Sequence, residues 1–181
     1  MLLNAEASCL LVVDCQEKLM PAIHGGDDLI AQVGWLIDLA RALSVPMLAS
    51  EQYPRGLGRT VGDIDARLDA GEKMEKLRFS CAAEPGCRER CEGLGRRQVV
   101  IGGVEAHVCV LQTAVGLLGQ GWEVFVVEEA VSSRRLRDRD LALARMRQAG
   151  VEVVSREMVA FEWLHEAGTD LFRDVSRRFL R

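Results

Sequence analysis

The chain has 181 residues, 49% of them hydrophobic and 28% charged, with a net charge of −4. That length holds one domain with a full core, expected over residues 1–181. The acidic balance, with Lys and Arg interspersed among Asp and Glu, excludes the basic footprint of a nucleic-acid binder.

In chain order, residues 8–15 form a continuous apolar run, the pattern of a parallel strand covered on both faces. Residues 27–43 carry apolar side chains at helical spacing (Leu29, Ile30, Val33, Leu36, Ile37, Ala40, Leu43). Residues 46–50 read as a second strand, 51–59 as a loop punctuated by Pro54, Gly56 and Gly58, 63–70 as a short helix and 72–76 as a weak third strand. A helix is expected over 85–94, with Pro85 tolerated in its first turn. Strand 98–102, helix 107–119 and strand 122–127 follow. Helix 136–149 is closed by Gly150, a usual residue after a helix end. Strand 151–155 and helices around 158–166 and 170–179 complete the chain.

Alternating strands and helices predict a doubly wound, parallel α/β sheet with helices on both faces. Ligands of such sheets bind beyond the carboxyl ends of the strands, where strand order reverses. No apolar run reaches the roughly 20 residues that cross a bilayer. No basic-then-apolar leader is evident either, so the six cysteines are expected as reduced thiols in the cytoplasm.

Residues just past strands therefore carry the functional reading. Asp14 ends the first strand, and a carboxylate after an apolar run is costly without a partner or a task. Lys76 ends the third. Cys109 follows the fourth strand and two glycines at the start of a helix, where unpaired N–H groups favour a thiolate. If strands one, three and four share an edge, the three side chains meet in one crevice. Asp14 then accepts the thiol proton, Lys76 steadies both partners, and Cys109 attacks an electrophilic carbon.

Other features read more plainly. Cys81, Cys87 and Cys91 lack the paired spacing and the nearby histidine of a zinc site. The run from Cys91 to Arg97 precedes a strand, so no helix N-terminus is placed to cradle phosphate. No G-x-G-x-x-G follows the first strand, and no cofactor is expected. The Arg-rich run 133–140 alternates with acids and reads as a solvated face.

Asp14 with Gln16, Lys76 before Phe79-Ser80, the run 103–110 (Gly-Val-Glu-Ala-His-Val-Cys-Val), the run 50–58 and the run 128–133 together resemble the isochorismatase-like cysteine hydrolases, over essentially the whole chain. The resemblance is closest to the small isochorismatase-domain proteins of unassigned substrate. It implies a three-layer α/β/α sandwich around a six-stranded parallel sheet. It also implies a catalytic triad of Asp14, Lys76 and Cys109, and a cis peptide between Val104 and Glu105. The N–H groups of Glu105 and Cys109 would then form an oxyanion hole, and a homo-oligomer is expected.

Gln16, Tyr53, Phe79 and His107 are candidate pocket residues. Tyr53 and Phe79 could equally pack in the core, and Gln16 could hold the Asp14 loop. The nicotinamidases of this superfamily carry an Asp-x-His metal motif where this chain reads Ser50-Glu51-Gln52-Tyr53, so no metal is expected. True isochorismatases lack the cysteine, so Cys109 points away from isochorismate. The expected activity is a metal-independent cysteine hydrolase acting on a small molecule, at an amide or carbamoyl C–N bond, through a thioester. The alternative from another class is a non-catalytic binding or redox-sensitive interaction protein on the same scaffold.

Overall fold

The computed structural model describes residues 1–180. Strand β1 (Ser8–Val13) is buried throughout. Leu10 and Val12 enter one apolar layer, and Cys9, Leu11 and Val13 enter the other, so both faces of the sheet are covered. The order of chain elements is α1 (Gly26–Ala42), β2 (Met47–Gln52), α2 (Pro54–Leu57), α3 (Gly62–Asp65), β3 (Lys73–Lys76), α4 (Pro85–Gly93) and β4 (Gln98–Gly103). A single π-helical turn, Ala106–Val110, leads into α5 (Leu111–Gly119). Then come β5 (Glu123–Val131), α6 (Leu136–Ala149), β6 (Glu152–Val154), α7 (Arg156–Leu164) and α8 (Asp170–Phe179).

The six strands form one parallel sheet in the order β3-β2-β1-β4-β5-β6. Strand order reverses between β1 and β4, which opens a crevice at their carboxyl ends. Side chains of α1, α7 and α8 complete the first apolar layer, and those of α4, α5 and α6 the second. The result is the α/β/α sandwich read from the sequence.

Local chemistry explains the ends of the helices. Asp27 and Asp28 lie in the first turn of α1 and Arg41 in its last, matching the helix dipole. Ser155 accepts the Met158 N–H at the start of α7, and Thr169 accepts that of Phe172 at the start of α8. Gly150 ends α6 at a φ of 97°. Trp163 and Leu164 are buried, and the Trp163 indole donates to Ser8 Oγ at 3.0 Å, so α7 belongs to the core. Phe161 and Leu171 remain exposed.

Several features depart from the sequence reading. Strands one, three and four do not share an edge, because β2 lies between β3 and β1. Strand β5 runs four residues further, to Val131, past a register shift opposite Gly102 that lets Gly103 pair with Val131. The segment 51–59 is not all loop, since β2 continues to Gln52 and α2 follows. The helix expected from His107 begins as the π-helical turn.

Gly103 is required where it stands. Its φ is +120°, and a Cβ there would lie 2.1 Å from the Val13 carbonyl oxygen. The next residues are fastened at both ends: Val104 N–H donates to Val13 O and Ala106 N–H to Ser132 O, each at 2.8 Å. The Val104–Glu105 peptide between them is cis.

Candidate active site

Asp14 is the first residue past β1. It adopts a φ of 51°, a left-handed conformation that Asp tolerates better than most residues. Its side chain turns into the crevice between β1 and β4 and is fully buried. Lys76 approaches from β3, two strands away. Strands lie about 4.8 Å apart, so the gap is roughly 10 Å, and a four-carbon stem crosses it. Lys76 Nζ donates to Asp14 Oδ2 and to Gln52 Oε1, both at 2.7 Å. Ser50 Oγ donates to the other Asp14 oxygen, also at 2.7 Å.

Cys109 completes the cluster from the π-helical turn. It is 5% exposed, and Asp14 and Lys76 are the charged groups that act on its thiol. The structure thus brings Asp14, Lys76 and Cys109 together although their strands are not neighbours.

Burial and charge pull on the three groups in opposite directions. Burial lifts the Asp14 carboxyl above its usual range, opposed by the ammonium of Lys76, by hydrogen bonds from Lys76 and Ser50, and by the nearby Cys109 thiol. Burial pulls the Lys76 ammonium down, but Asp14, then Cys81 and Cys109, outweigh it and leave Lys76 above its ordinary value. Burial, followed by the Asp14 charge, pushes the Cys109 thiol up against the pull of Lys76. Desolvation and the Asp14 charge thus work against the thiolate that a helix start favours, and Lys76 works for it.

The candidate pocket residues divide. Gln16 is fully buried and spends its amide on the loop: Nε2 donates to Gln52 O (3.0 Å) and Gly58 O (2.7 Å), and Oε1 accepts from Gln52 N–H (2.7 Å). It holds the strand end in place, with both amide donors committed to the backbone. Tyr53 and Phe79 are 50% and 53% exposed, so neither is a core residue. Tyr53 lines a cavity of about 340 Å³ with Pro54, Arg55, Glu75, Lys76, Leu77 and Glu84. His107 Nδ1 lies 2.9 Å from Ser133 Oγ, and its Nε2 3.7 Å from Glu105. The Glu105 carboxylate is held by Arg134 at 2.7 Å.

Ser50, Gln52 and Cys81 are contacts that the sequence reading did not assign. Ser50 and Gln52 stand two residues apart, hence on one face of β2, and Gln52 pairs in register with Lys76. That periodicity was the available signal. Cys81 is buried beside Lys76. The neighbouring Cys87 thiol is the largest influence on it and, with the Lys76 charge, holds this thiol below its ordinary value despite burial. All six cysteines are free. Among the described residues, no group of three His, Cys, Asp or Glu side chains is arranged to hold a metal, and no helix is long and apolar enough to cross a membrane.

A doubly wound α/β/α sandwich with a buried acid, cation and thiol at its switch point defines the class of this protein. The isochorismatase domain family model matches residues 8–158, and the chain belongs to that family, within the isochorismatase-like hydrolase superfamily. It is 37% identical over 175 residues to isochorismatase domain-containing protein 1 of Danio rerio, covering 96% of this chain and 61% of that protein. It therefore spans about three-fifths of that relative. Against isochorismatase domain-containing protein 2 of the same fish it is 35% identical, covering 97% and 88%. Among solved structures, the MAR1 ribonuclease of Caenorhabditis elegans superposes with a TM-score of 0.92 at 36% identity, covering 100% of this chain and 93% of that one. The Escherichia coli YcaC product, described as an octameric hydrolase of unknown specificity, gives 0.87 at 25% identity, covering 92% and 83%.

Proposed function

We propose that the protein is a cysteine hydrolase of small molecules, acting on an amide or carbamoyl C–N bond without a metal. The observation that carries this reading is the buried cluster in which the Cys109 thiol faces Asp14 while Lys76 and Ser50 hold that carboxylate. In the proposed reaction the Cys109 sulfur bonds to the carbonyl carbon as its proton passes to Asp14. The oxyanion is received by the N–H groups of Glu105 and Cys109. Collapse expels the amine, which takes the proton from Asp14 and leaves a thioester. Water, deprotonated by Asp14, then cleaves the thioester to the acid and restores the thiol.

Lys76 favours the ionised form of Asp14 against the burial that raises its pKa, the form a base needs. The ribonuclease name of the C. elegans relative belongs to that protein. Here a net charge of −4 offers little to a phosphate backbone, and we assign a small molecule rather than RNA. The octameric description of YcaC supports a homo-oligomer for this chain as well.

The test is a panel of small primary amides and carbamoyl compounds, followed by ammonia release and by intact mass after acid quench. A responding substrate is expected to leave an acyl adduct that peptide mapping places on Cys109. Turnover with the adduct on another residue, or undiminished turnover by Cys109→Ala, would overturn the assignment.

A further inference from the structure

Lys76 and Asp14 meet although β2 lies between their strands, so the Lys76 stem has to pass over β2. Two side chains on that face of β2 receive its end and its target. Ser50 Oγ donates to Asp14 Oδ1, and Gln52 Oε1 accepts from Lys76 Nζ, both at 2.7 Å.

The direction of the Gln52 amide is fixed by chemistry. A backbone carbonyl only accepts and an ammonium only donates. Gln52 Nε2 donates to Leu77 O at 2.7 Å, which leaves Oε1 as the atom that faces Lys76. The backbone around it is tied as well. Gln52 N–H donates to Gln16 Oε1 (2.7 Å), and its carbonyl accepts from Gln16 Nε2 (3.0 Å). The next N–H, that of Tyr53, donates to Lys76 O at 2.8 Å. Gln52 is itself buried, and a buried amide bonded at both ends stays in one arrangement.

Lysine brings the opposite property, a point charge on a flexible four-carbon stem. Held by Asp14 alone, the ammonium would be free to swing about a single contact. A neutral acceptor on a fixed strand removes that freedom without competing with Asp14 for charge. Among the described residues Gln52 makes no hydrogen bond to Asp14 or Cys109, so its effect on them passes through Lys76.

We infer that Gln52 is a positioning residue: it holds the Lys76 ammonium against Asp14, and through Lys76 it sets how readily Cys109 gives up its proton. The inference rests on the cysteine-hydrolase reading.

Alkylation of Cys109 by iodoacetamide between pH 6.5 and 9.5 tests it in the whole chain, read by peptide mass spectrometry with Cys91 as reference. Gln52→Met keeps the length but neither accepts from Lys76 nor donates to Leu77. It is expected to displace the Cys109 profile about half a pH unit upward, which is about threefold slower at one pH. Gln52→Asn keeps the amide on a stem one carbon too short to reach Lys76 and Leu77 together, and is expected to move the profile the same way. Lys76→Met is expected to move it further, and Gln52→Met added to Lys76→Met to move it no more. An unmoved Cys109 profile in either folded Gln52 variant, an equal displacement at Cys91, or a further threefold loss on the Lys76→Met background would overturn the role of Gln52 and leave the nucleophile intact. A profile that Lys76→Met also leaves in place, or no reaction at Cys109, would overturn the cysteine-hydrolase reading, and this inference with it.

Discussion

Replacing Cys109 by alanine is expected to lower turnover of a responding amide by about 10⁴- to 10⁶-fold, the loss that follows removal of a covalent nucleophile. Asp14→Asn is expected to cost about 10²- to 10⁴-fold, the usual contribution of a positioned base. Asparagine keeps the size of Asp14 and can still accept a hydrogen bond from Ser50 or Lys76, but it cannot take the thiol proton. Steady-state rates of the two single variants and the double variant check the pairing. If Asp14 serves only through Cys109, the double variant is no slower than Cys109→Ala alone. Independent, multiplying losses would show that the two residues do not act on one step.

The second large effect is on stability. Lys76→Met removes the cation from a fully buried pair and leaves Asp14 uncompensated, a change that typically costs about 3–5 kcal/mol. That is a large share of the roughly 5–15 kcal/mol that holds a domain together. The loss depends on pH, with a definite sign. Without Lys76, burial raises the folded-state pKa of Asp14 further, so its carboxyl folds readily when protonated and poorly when charged. Stability of the variant is present below the unfolded carboxyl pKa and is lost as pH rises through the folded one. Urea titrations at pH 5 and pH 7.5 are expected to show the smaller deficit at pH 5. Adding Asp14→Asn is expected to recover part of the loss at pH 7.5 and little at pH 5. A deficit independent of pH would show that Asp14 is not left carrying the charge.

The sequence made the alternation of elements legible, because each buried strand is a continuous apolar run and each helix an amphipathic stripe. Helices 136–149 and 170–179 agree with the structure at both ends, since Gly150 stops one and Thr169 caps the other. The end of β5 was hidden by Glu128 and Glu129, which interrupt an otherwise apolar run. Lys76 was legible only as the end of a weak strand. Its reach across β2 follows from strand order, which local periodicity does not encode.

The state of Cys109 was legible least of all. Its place just before a helix favours a thiolate. Whether desolvation or a cation prevails depends on burial and on the carboxylate that the fold brings beside it. Likewise Gln16 had two sequence readings, and only the hydrogen bonds to Gln52 and Gly58 decide for the structural one.

The most direct test of the central claim is the rate of Cys109 alkylation by iodoacetamide at pH 8, in the native chain, Asp14→Asn and Lys76→Met, with Cys91 in the same digest as reference. Asp14 raises the thiol pKa and Lys76 lowers it. Expected are a faster rate in Asp14→Asn and a slower one in Lys76→Met, with Cys91 unmoved, even though both variants are expected to lose turnover. Rates at Cys109 that ignore both substitutions, or shift in the same direction as those at Cys91, would contradict a coupled acid, cation and thiol.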